Sequence, residues 1–100
     1  MFRRRLWRTY PSFVAAHNAL GITYLNLGQT QKARDEFLRA VELDRYLPAS
    51  YLNLGCAQLE LQQYPEAEES LKKALRLRHL IFRYLRLWLT QSFRTVTMPL

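Results

Sequence analysis

The sequence predicts an all-α fold of antiparallel helical hairpins stacked as a short solenoid, and three observations lead there. Leu20-Gly21 returns thirty-four residues on as Leu54-Gly55; at the same offset Ala33 returns as Ala67, Phe37 as Leu71 and Ala40 as Ala74. Val41 and Leu43 come back as Leu75 and Leu77. A fixed period of this length is that of a stacked helix–turn–helix unit. Between the repeats, apolar residues recur at spacings of three and four, the signature of one helix face. Finally, 3 Gly and 4 Pro in 100 residues leave few helix breakers, and an apolar fraction of 49% is too high for a disordered chain.

The first helix opens at Pro11-Ser12, with Ser12 as its predicted N-cap. Phe13, Ala16, His17, Leu20, Gly21, Tyr24 and Leu27 then fall on one face, and Gly28 ends the helix as a left-handed residue. Gln29-Thr30 makes the turn, Thr30 capping a second helix from about Gln31 to Asp44. Arg45-Tyr46-Leu47 links to a third helix, about 48–61, whose first turn accommodates Pro48 because the missing N–H has no partner there anyway. Gln62-Gln63-Tyr64 turns the chain again, and Pro65 starts the fourth helix. Glu66, Glu68 and Glu69 lie at the positive end of that helix's dipole, with Lys72, Lys73 and Arg76 further along.

Two antiparallel helices joined by a short turn must approach closely, so Gly21 is expected opposite Ala33, and Gly55 opposite Ala67. Leu20, Tyr24 and Phe37 are expected to fill the first unit, Leu54 and Leu71 the second. Stacking two such hairpins leaves a concave face lined by the first helix of each. The division this implies is a basic arm at 1–13, units at 14–47 and 48–81, and a terminal amphipathic helix with a frayed end at 82–100.

The net charge of +7 is concentrated at the ends: +4 over residues 1–13, −2 over 14–74 and +5 over 75–100. Basic ends attract phosphates, anionic lipid or an acidic partner. The most apolar run, Leu80 to Leu89, contains Arg83 and Arg86 and is far shorter than the ~20 residues of a membrane span. No apolar stretch of signal-peptide type follows the N-terminal arginines. The lack of acids before Asp35 is shared with mitochondrial presequences, but the first unit begins near Val14 and leaves little to cleave. The arm is read as a short basic extension or the edge of a larger protein, and a cytoplasmic location is favoured.

Asn18-Ala-Leu20-Gly21, Tyr24, Gly28, Ala33, Phe37 and Ala40 together resemble the tetratricopeptide-repeat consensus. The second copy is Tyr51, Leu54-Gly55, Ala67, Leu71 and Ala74. It departs at Gln58, where the family usually has Tyr, and at Gln62, where it often has Gly. Arg45 and His79 stand where each copy should carry a proline. The resemblance covers about residues 14–80.

It implies a scaffold, without chemistry of its own, that binds a protein or peptide in its groove. The groove residues it implies are Ala15, Asn18, Ile22 and Leu25 in the first copy. Their counterparts are Ala49, Leu52, Cys56 and Leu59, with Asn53 nearby. Some family members grip a C-terminal carboxylate with a Lys/Asn/Arg cluster on this face. Asn53 matches one place in that pattern, and Arg83 another if a third unit begins at Phe82. Asn18 and Ile22 replace the lysine and second asparagine, so an apolar groove for hydrophobic or mixed peptides is expected instead.

Neither Gly nor Pro occurs between Glu66 and Met98, so the fourth helix can run on. Its last part is expected to act as a cap whose apolar side covers Leu71 and Leu75, with solvated arginines. The sharper readings are a homo-oligomer through this helix, or docking on an anionic membrane. Arg76, Arg83 and Arg86 are the candidate contacts for an anionic partner. Nucleic acid, suggested by the basic ends with Trp7, Tyr10, Tyr84 and Trp88 interleaved, ranks with the membrane surface behind a protein partner. No catalytic residues, cofactor or metal site are expected. His17 and His79 have no carboxylate or thiol at a useful spacing, and one thiol, Cys56, cannot make a tetrahedral zinc site.

Overall fold

A computed structural model describes the backbone of residues 11–97 and the side chains of residues 13–91. Residues 1–10 of the N-terminal arm and the cap expected of the Ser12 side chain lie outside those residues. Four helices follow one another, α1 (Pro11–Asn26), α2 (Thr30–Leu43), α3 (Pro48–Glu60) and α4 (Tyr64–Thr97), with no strand among the described residues. α1 packs on α2 and α3 on α4 as two hairpins. α2 also packs on α3, which joins the hairpins into one stack.

The two hairpin turns are the same structure written twice. In the first, Gln29 N–H donates to the Tyr24 carbonyl at 2.8 Å, and Gly28 N–H to that of Leu25 at 3.0 Å. In the second, Gln63 N–H donates to the Gln58 carbonyl at 2.8 Å, and Gln62 N–H to that of Leu59 at 3.0 Å. This paired bonding satisfies the last carbonyls of a helix and requires a left-handed residue just beyond it. Gly28 supplies that conformation freely at φ 80°, whereas Gln62 is forced into it at φ 61°. A side chain there is strained by roughly 1–2 kcal/mol, part of which glycine's greater freedom in the unfolded chain offsets. Gln62→Gly is therefore expected to raise stability by about 0.5–1 kcal/mol and Gly28→Ala to lower it by about 1 kcal/mol. Denaturant midpoints will show both.

Thr30 is the first residue of α2 rather than its cap. Gln29 occupies the cap position without a side-chain bond, and the Thr30 hydroxyl instead donates to Glu60 Oε2 at 3.2 Å. That contact ties the start of α2 to the end of α3.

The glycines admit side chains, not only backbones. A Cβ on Gly21 would fall 2.8 Å from Cδ1 and Cζ of Phe37, whose ring lies against it. On Gly55 it would fall 2.8 Å from Cγ and Cδ2 of Leu71, with the Ala67 carbonyl 3.5 Å away. The core runs through both units: Ala33, Phe37 and Val41 from α2, Tyr51, Leu54 and Ala57 from α3, and Ala74 from α4. Tyr24, Leu25 and Leu77 pack partly against it. Leu20, expected inside, is exposed, and the core clusters around Phe37 and Leu54 instead.

The end of the stack differs from expectation. After α2 the chain turns at 44–47, where the Asp44 carboxylate accepts the Tyr46 N–H at 2.9 Å, and Pro48 starts α3. One period later those two positions hold Arg78 and Phe82, which neither turn nor break a helix. α4 therefore runs straight through the boundary placed at 82, for 34 residues, or about 51 Å. No separate helix folds back: Leu75 stays exposed, and so does every side chain from Arg78 to Gln91.

Candidate functional site

The face expected to bind a partner is built by α1 and α3. Ala15, Ile22, Ala49, Leu52, Cys56 and Leu59 are exposed on it, and Asn53 is half-buried. Leu25 is drawn partly into the core. On the opposite side of α3, about half-way round, Tyr51, Leu54, Ala57 and Gln58 are buried. One side of α3 thus holds the stack together while the other stays apolar and open, with Leu52 50% and Leu59 43% exposed. Ile22 continues this surface onto α1 at 45%. Asn18 does not join it as a free reader: its amide donates to the fully buried Ser50 hydroxyl at 2.9 Å, fastening α1 to α3.

Arg76, Arg83 and Arg86 are not brought to this face. Arg76 borders a shallow depression with Tyr51, Glu69, Ser70, Lys72 and Lys73, where the Lys73 ammonium lies 5.2 Å from the Tyr51 ring centre. Arg83 sits further along α4 beside Leu80, Tyr84 and Leu87. Since α4 is unbroken at Phe82, no third hairpin begins there, and Arg83 cannot take the place that a carboxylate-gripping cluster requires.

Sequence reasoning missed two polar links, one partly buried and one buried. His17 Nδ1 lies 2.8 Å from Glu36 Oε1, so His17 does have a carboxylate partner, nineteen residues away. The available signal was Glu36 itself, an acid among Ala33, Phe37 and Ala40 on the inner face of α2. The pair joins α1 to α2, and Arg39 braces Glu36 at 3.5 Å. In the second unit the Ser70 hydroxyl donates to Gln58 Oε1 at 2.7 Å, both residues being buried. Gln58 thus replaces the family's Tyr with a hydrogen bond across α3 and α4. Among the described residues no group of three or more His, Cys, Asp or Glu comes together to hold a metal ion. No helix among them is long and apolar enough to cross a membrane.

Repeated hairpins, a shared core and an open face along their first helices define a helical-repeat protein. The family model of the tetratricopeptide repeat matches residues 11–78. The chain belongs to the tetratricopeptide-repeat family, whose members are protein–protein interaction modules. Among solved structures the chain is similar to MamA, at a TM-score of 0.69 and 22% identity. That likeness covers 81% of this chain and 47% of MamA, so the chain spans about half of that protein. No curated protein matches the chain.

Proposed function

We propose that this chain is a small adaptor that holds an extended apolar or mixed peptide of a partner protein across the α1/α3 face. The units that form it are residues 14–47 and 48–81. The observation that carries the reading is the split character of α3. Tyr51, Leu54 and Ala57 are buried in the stack, while Leu52, Cys56 and Leu59 stay exposed beside Ile22 of α1. Apolar residues held in a row on rigid helices offer a preformed docking surface. No lysine, arginine, aspartate or glutamate is among the nine groove residues, so recognition by apolar side chains fits it better than a charge clamp.

Panning a display library of short peptides on the full chain tests this. Leu52→Arg places a charge in the middle of the face without touching the core, so helix content and denaturation midpoint should remain as they were. Affinity for the enriched peptides should fall at least about tenfold, the loss expected from removing one buried apolar anchor. Peptides that bind Leu52→Arg as well as the original chain would sink the proposal.

A further inference from the structure

The outer half of α4 has no place in the groove reading. Leu77 still touches the core, but from Arg78 to Thr90 every side chain is exposed. Seven of them, Leu80, Ile81, Phe82, Leu85, Leu87, Trp88 and Leu89, are large and apolar and between 43% and 61% exposed. With 3.6 residues per turn, Arg76, His79, Arg83, Arg86 and Thr90 fall within an arc of about 80°. The rest of the circumference is apolar apart from Arg78, whose guanidinium lies 5.5 Å from the centre of the Phe82 ring. From Ser70 to Leu100 the sequence has no acidic residue at all.

We propose that this segment of α4 is a docking surface for an anionic lipid bilayer, on which the helix lies in the plane of the headgroups. A narrow cationic stripe opposite a broad apolar arc containing Trp and Leu is the composition of an interfacial helix. Arg83 and Arg86 reach the lipid phosphates along their aliphatic stems while Leu85 and Trp88 enter the acyl boundary. The charge distinguishes this occupant from a second copy of the chain. Two such helices packed through the apolar arc would bury Arg78 of each with no carboxylate from Ser70 onward to pair it, and the apolar arc is much wider than a helix–helix seam. A nucleic acid would satisfy the arginines and leave the apolar arc in water. The groove residues lie on α1 and α3, so the docked protein keeps that face available.

The test uses the full chain and vesicles of phosphatidylcholine, with or without phosphatidylserine. Co-sedimentation is one readout. The other is the emission of Trp88 in a Trp7→Phe background. Binding should be at least about tenfold stronger to the phosphatidylserine vesicles, since several basic side chains act together near the surface, and Trp88 emission should shift to the blue. Leu85→Glu should abolish both signals, and so should the double change Arg83→Gln with Arg86→Gln. These positions are exposed, so helix content and the denaturation midpoint of the stack serve as controls for folding. Neutralising Arg3, Arg4 and Arg5 together should leave the Trp88 shift in place. The proposal is overturned if phosphatidylserine vesicles are not bound, or if Leu85→Glu binds them unchanged. It is also overturned if the arm variant alone removes binding, if RNA competes while Trp88 emission stays unshifted, or if the helix instead drives dimerisation without lipid.

Discussion

Phe37→Ala is expected to lower the unfolding free energy by about 3–5 kcal/mol, the cost of deleting a buried aromatic ring and leaving its cavity. Phe37 is fully buried and is the largest such side chain among the described residues. Its ring fills the space that Gly21 leaves open on α1, and α1 and α2 hold it from both sides, so little collapse into the hole is possible. A chain of this size has only a modest core, and a loss of that order removes most of its stability. The circular dichroism and amide spectra of the variant should be largely those of an unfolded chain at room temperature. Leu38→Ala, one position along and 38% exposed, provides the comparison. A fold that survives Phe37→Ala with its midpoint hardly changed would mean that the ring is not what joins α1 to α2.

Leu54→Ala should cost about 2–5 kcal/mol, while the identical change at Leu20 should cost about 1 kcal/mol or less. The two leucines stand one period apart on equivalent faces of α3 and α1. Leu54 is 4% exposed, in the cluster it shares with Ala33, Phe37 and Val41 of α2, whereas Leu20 is 41% exposed and outside that cluster. The same contrast with the order reversed applies to Val41, at 9%, and Leu75, at 56%. Urea denaturation of Leu54→Ala and Leu20→Ala measures the stacking contact between units with the residue type held constant. Equal losses at the two sites would deny that stacking contributes more than the hairpins themselves.

The period of the sequence made the hairpins legible, since helices repeating at one offset must bury equivalent faces. The exposed set Ile22, Leu52, Cys56 and Leu59 was legible for the same reason, as the complement of the buried set. Other features depend on which helices become neighbours, which one helix pattern does not reveal. Asn18 reads as an open groove residue until Ser50 is brought beside it, and His17 reads as isolated until α2 carries Glu36 across. Gln62 takes a conformation that its residue type disfavours because the turn geometry is dictated by the units on either side. The end of the second unit was misread in a different way. A cap was expected where the first unit turns, but Arg78 and Phe82 carry none of the chemistry that Asp44 and Pro48 bring to that turn.

The unbroken passage of α4 from the stack into solvent has a thermodynamic consequence. A free helix of this length in water is marginal because its first turn fixes several residues for one hydrogen bond. Here the stack has already formed that nucleus, and the outer turns need only propagate from it. They should melt gradually from the distal end while the hairpins unfold all at once, so total helicity and the folded fraction would trace different curves on heating. The dependence runs in one direction. A substitution such as Phe37→Ala, which touches none of the outer turns, removes their nucleus and should dissolve them with the core; Leu85→Glu should leave the core as it was.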